Sequence, residues 1–125
     1  MPFSDKVLNW FEIPAKDIDR AVKFYNDIFE ANFEIIDFQG NKMAFFTDDY
    51  TKTGGALVQN EYSVPAQTGT RVYFSGGNDL SGVLSRVTGA GGKVIFDKMK
   101  ISDEYGYYGV FEDTEGNHVG LHSNS

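Results

Sequence analysis

The chain contains no cysteine. That excludes a disulfide framework, a thiol nucleophile and any zinc or iron–sulfur site built on cysteine, and it permits a cytoplasmic home. No apolar run approaches the ~20 residues a helix needs to cross a bilayer, and the N-terminus carries no basic-then-apolar leader. A soluble, unanchored protein without a membrane partner is expected. Basic residues are few and scattered: eleven Lys and Arg stand against eighteen Asp and Glu, a formal net charge of −7. A field of that sign repels phosphate backbones and argues against nucleic-acid partners, and its ordinary role is to keep a protein in solution.

Aromatic residues are abundant instead. Eleven Phe, seven Tyr and one Trp in 125 residues give enough bulk for a core in one domain without a disulfide or structural metal. The layout is clearest around residues 17–29. Ile18, Ala21, Val22, Tyr25, Ile28 and Phe29 recur at helical spacing, and Asp17 before them is placed to accept first-turn N–H groups. A weaker copy, Leu80, Val83, Leu84 and Val87 behind Asp79, follows at an offset of 62 residues. The chain thus reads as a duplication.

Around each helix the pattern is β. Strands are predicted over 6–13, 32–38, 42–47 and 54–59 in the first half, with a loop over 48–53. Residues 61–69, with Pro65, form a connector. In the second half strands are predicted over 70–75, 93–96, 105–112 and 118–123, with a helix over 79–87 and a polar loop over 97–104. The result is a single domain over residues 1–125 made of two β-α-β-β-β modules, at about residues 6–60 and 70–123. The fold class is α+β, a partly open barrel whose helices cover one sheet face and leave the other as a concave cleft. If Phe11 and Ile13 face the helices, Leu8, Trp10 and Glu12 face the cleft.

Several residues invite two readings. Glu12 in the cleft suits a general base or a partner for a ligand cation; alternatively it pairs with Arg71. His122 is the best-placed imidazole for the cleft, whereas its nearness to the C-terminus also suits a surface residue. His118, directly after a turn, suits exposure more. Trp10 is either a stacking platform or core filler. Tyr105, Tyr107 and Tyr108 form a cluster of which alternation turns at least one toward the cleft. Arg71, if inward, suits bidentate pairing with a carboxylate ligand. The Gly-Gly pairs at 54–55, 76–77 and 91–92 lack phosphate-loop spacing and read as bulges and helix ends.

Three motifs carry a resemblance: D-x-x-R-A-x-x-F-Y from Asp17, A-G-G-K-V from Ala90, and F-E-D-x-x-G-N-x-x-G-L from Phe111. With the paired modules, they make the chain similar to the vicinal oxygen chelate superfamily, which includes glyoxalase I, bleomycin-resistance proteins, fosfomycin-resistance enzymes and extradiol dioxygenases. The resemblance implies one divalent metal held by His and Glu from inner strand positions. Here those positions fall on Trp10, on Val58 or Gln59, on Arg71 or Val72, and on Gly120. Only Gln59 offers an oxygen among them.

The resemblance therefore implies a metal-free binding protein of the glyoxalase/bleomycin-resistance type, with no cofactor and a homodimeric assembly. Its small, aromatic or flat ligand would meet Trp10, Gln59, Arg71 and Tyr107, with Glu12 and His122 as the groups able to do chemistry. A second expectation is a metal-dependent lyase or isomerase using Glu12, Gln59 and His122 as a non-standard ligand set. A third is a non-catalytic subunit or regulatory partner with a vestigial cleft.

Overall fold

The computed structural model describes residues 2–3, 5–49 and 51–125, and all but the side chain of Phe38 within its strands. The first module runs β1 (Trp10–Pro14), α1 (Ile18–Phe29), β2 (Ile35–Phe38), β3 (Asn41–Phe45) and β4 (Gly54–Gln59). The second repeats it: β5 (Tyr73–Ser75), α2 (Ser81–Arg86), β6 (Lys93–Ser102), β7 (Gly106–Glu112) and β8 (His118–Ser123). Each module makes one four-stranded sheet, ordered β1-β4-β3-β2 and β5-β8-β7-β6. The first strand of each lies parallel to the last, and the other pairs are antiparallel. The two sheets do not close into a barrel.

The helices cover one face of the sheets. Ile13 and Leu57 from the first sheet and Phe111, Val119 and Leu121 from the second are buried there with Ile18, Phe24, Tyr25 and Ile28 of α1. Phe11 of β1 meets Phe74 of β5 edge-on at 5.6 Å, so this apolar cluster is continuous across both modules. Pro14 ends β1 at the edge of its sheet, where the missing N–H breaks no ladder.

The motif residues hold the modules together. Asp17 caps α1, its Oδ1 accepting the Arg20 N–H at 3.1 Å. Glu115, in the turn between β7 and β8, accepts the Lys16 and Asp17 N–H groups at 2.9 and 2.8 Å and the Arg20 guanidinium at 2.8 Å. Burial opposes the charge on Glu115, but Arg20, the Asp17 N–H and the Thr114 hydroxyl outweigh it and hold the carboxyl below its ordinary value. Beside it the Tyr25 hydroxyl donates to Asp113 Oδ2 at 2.8 Å. Burial pushes Asp113 up despite hydrogen bonds from Asn117 and Tyr25, and burial, with Asp113 adjacent, pushes the Tyr25 phenol well above 10.0.

Several elements differ from the sequence pattern. The first strand starts at Trp10 rather than at residue 6, because β4 offers pairing partners only from Gly54, opposite Trp10. Similarly β2 starts at Ile35, after Asn26 has taken both the N–H and the carbonyl of Phe33. The loop over 48–53 lies between β3 and β4, with Tyr50 outside the described residues.

In the second module β5 is only Tyr73–Ser75, and α2 is six residues long without a side-chain cap. Asp79 does not act as Asp17 does. Its carboxylate takes the Lys98 ammonium at 2.9 Å and the Ser81 N–H, which hold its pKa down to about 2, while the Leu80 N–H goes to Ser123 Oγ. The polar stretch predicted as a loop over 97–104 instead mostly prolongs β6, which pairs with β7 through several register shifts as far as Ser102.

Candidate functional site

On the face away from the helices, alternation brings Trp10 and Glu12 of β1 beside Gly54 and Ala56 of β4, and Tyr73 and Ser75 of β5 beside Gly120 and His122 of β8. Two aromatic rings thus lie over two glycines. A Cβ at Gly54 would stand 3.1 Å from Trp10 Cζ3, and one at Gly120 would overlap the Tyr73 ring. Both rings stay open to solvent, Trp10 at 37% and Tyr73 at 49% exposure. Tyr73 is the second module's counterpart of Trp10, and the paired dipeptides Trp10-Phe11 and Tyr73-Phe74 are the sequence signal for it.

Two cavities adjoin these rings. One, of about 450 Å³, lies at the seam between the modules and includes Leu8, Trp10, Glu12, Arg71 and Tyr73 in its lining. The other, of about 510 Å³, is lined by Arg71, Tyr73, Phe96, Ile101, Tyr108 and His122. Arg71 and Tyr73 belong to both. The Trp10 indole N–H donates to Glu12 Oε2 at 3.3 Å. Arg71 makes no hydrogen bond or ion pair within the described residues. The His122 Nε2–H donates to the Tyr105 carbonyl at 2.7 Å.

Two residues expected in the cleft lie elsewhere. Gln59 is on the helix side of β4, and its Oε1 accepts the Ile18 N–H at 2.7 Å to complete the start of α1. Tyr107 pairs with Ser123, also on the helix side, where its ring carries the Lys98 ammonium at 4.5 Å. Tyr108, one residue on, pairs with His122 and supplies the tyrosine of the cleft. A shift of one residue along a strand reverses its face. Trp10, Glu12, Arg71 and His122 do line the cavities. His118 is partly buried, 3.0 Å from Glu112, and lines neither cavity.

The donor set does not suit a divalent cation. The inner positions opposite one another hold an indole, a phenol and two glycines. Glu12 and His122 stand on different sheets and line different cavities. Among the described residues no group of three or more His, Cys, Asp or Glu is placed to hold a metal ion. The Glu12, Gln59 and His122 set is not brought together, since Gln59 lies behind the sheet.

This architecture has relatives. A "Glyoxylase-like domain-containing protein" of Didymella fabae is 32% identical over 116 residues, 88% of each chain. Among solved structures, a glyoxalase-related enzyme from Fulvimarina pelagi superposes with a TM-score of 0.69 at 12% identity, covering 97% of this chain and 89% of the other. The E144Q mutant of glyoxalase I from Zea mays gives a TM-score of 0.70 at 18% identity, covering 92% of this chain and 44% of the longer maize chain. At such identities the superpositions establish the fold alone. The family model matches residues 7–121, and the chain belongs to the Glyoxalase/Bleomycin resistance protein/Dioxygenase superfamily.

Proposed function

We propose that this protein binds a small aromatic or otherwise flat molecule in its cleft, without a resident divalent metal. The observation that carries this reading is the pair of open aromatic rings laid over Gly54 and Gly120. A flat ligand gains stacking contact there of about 0.5–1.5 kcal/mol per ring beyond burial. Glu12, already engaged with the Trp10 indole, fixes the orientation of that ring and offers its remaining oxygen to a donor on the ligand. Polar groups of this kind set orientation while the apolar wall supplies affinity.

The same reading includes a homodimer in a cytoplasmic setting. Phe96, Met99 and Ile101 of β6 are exposed beside the cleft, and a second copy covering them would enclose the ligand.

The test begins with elemental analysis of untagged protein, before and after exposure to nickel, zinc and manganese followed by desalting. No retained metal is expected. Near-stoichiometric metal that is lost in Glu12→Ala or His122→Ala would overturn the reading in favour of a metal-dependent lyase or isomerase. Because Trp10 is the sole tryptophan, quenching of its fluorescence by aromatic compounds reports directly on the cleft.

A further inference from the structure

The cavity over the second module has an unusual charge pattern for this acidic chain. Where Lys98 lines the cavity beside α2, Asp97 lines it too; where Lys16 and Lys42 line the cavity at the end of β4, Glu61 joins them. The cavity of about 510 Å³ differs: among the described residues its lining contains the Arg71 guanidinium, the His122 imidazole and an aromatic and aliphatic wall, and no carboxylate. In a protein of formal net charge −7, Arg71 stands out among the described residues as an arginine without an acidic partner, whereas Arg20 and Arg86 pair with Glu115 and Glu30.

The polar groups here are available. Arg71 has no partner within the described residues, although Glu12 lines the adjoining cavity and takes the Trp10 indole N–H instead. A guanidinium presents parallel N–H donors that match the two oxygens of a carboxylate. His122 spends its Nε2–H on the Tyr105 carbonyl, which leaves Nδ1 as the ring's other polar atom. The Tyr108 hydroxyl makes only a 3.9 Å contact with Met99 Sδ.

We infer that this cavity takes a flat aromatic carboxylate. Its carboxylate lies on Arg71, its ring lies against Tyr73, Phe96 and Tyr108, and a polar substituent reaches His122. The inference rests on the aromatic-binding reading above and adds the anionic class of the ligand and the place of its charge. A volume near 510 Å³ falls in the range that holds a small one- or two-ring compound.

Naphthalene-2-carboxylate and its neutral amide, titrated separately into the full chain by calorimetry, provide the test. The acid should bind about tenfold or more tightly than the amide, and Arg71→Gln should reduce that preference to less than about twofold. Arg71→Lys, which keeps the charge without the fork, should fall between. Equal binding of acid and amide to the unaltered protein would overturn the anionic assignment and leave the aromatic reading standing. Binding of neither would overturn both. An acid preference that survives Arg71→Gln in a variant of unchanged circular dichroism would remove Arg71 from the site.

Discussion

Arg20 on the helix of the first module grips Glu115 in the last turn of the second, Nε to Oε2 at 2.8 Å and Nη2 to Oε1 at 3.1 Å. The pair is asymmetric: the Glu115 side chain is 0% exposed and that of Arg20 50%. The buried carboxylate is the critical member, because it also satisfies two backbone N–H groups at the start of α1. Glu115→Ala should destabilise the protein by about 3 kcal/mol, read from urea unfolding, since it strands those donors as well as the guanidinium. Arg20→Ala should lower the urea midpoint less.

Acid should act through the same turn, with two opposed contributions. The Glu115 carboxyl sits below its ordinary value in the fold, so its stabilisation is present above about 4.5 and is lost as pH falls through the folded value. Asp113 is raised, so the fold binds its proton more readily than the unfolded chain and gains stability from it as pH falls. Between about pH 5 and 2, Glu115→Gln should flatten the loss of stability and Asp113→Asn should steepen it. Unfolding midpoints measured across that window check both signs.

Alkali should act through Tyr25. Its phenol is held protonated well above 10.0, whereas an unfolded tyrosine ionises near that value. Stability from this group is therefore complete below about pH 10 and declines as pH rises further. Tyr25→Phe should lower stability at neutral pH, because Asp113 loses a donor, yet make the decline in alkali shallower.

At Gly120, an added methyl would collide with the Tyr73 ring, which is half exposed and would have to swing outward. Gly120→Ala should cost little stability and weaken binding of flat ligands several-fold. Loss of folding, or unchanged affinity, would argue against Tyr73 as a platform.

Met99 lies at 52% exposure on β6 beside Phe96 and Ile101. For two copies paired over this strand, sedimentation velocity should show a dimer for the unaltered chain and a monomer for Met99→Lys, which places a charge in the contact.

Much of the fold is legible from local chemistry. The strands predicted over 54–59 and 118–123 coincide with β4 and β8 because glycines and a turn bound them sharply, and α1 follows its cap and apolar period. The pattern overestimates the second helix because Asp79 resembles Asp17 in sequence, while its carboxylate is drawn to Lys98, which only the folded β6 brings near. In β6 the charges of Asp97, Lys98 and Lys100 mask a long strand that also carries Met99 and Ile101. The site is partly legible for a related reason. Trp10 and Glu12 line a cavity on the face that alternation along β1 gives them, His122 and Arg71 line one too although Arg71 lies before β5, and Gln59 and Tyr107 turn to the opposite face. Facing depends on register, which sequence alone leaves uncertain by one residue.

The clasp between α1 and the last turn has a consequence for the chain's connectivity. Tyr25 with Asp113, Arg20 with Glu115, and Phe11 with Phe74 all join one half of the molecule to the other without using the stretch between residues 60 and 70. The peptide there need not be continuous for the halves to recognise each other. A chain nicked beside the exposed Tyr62 should remain one particle, and the halves produced separately should reassemble as complementing fragments.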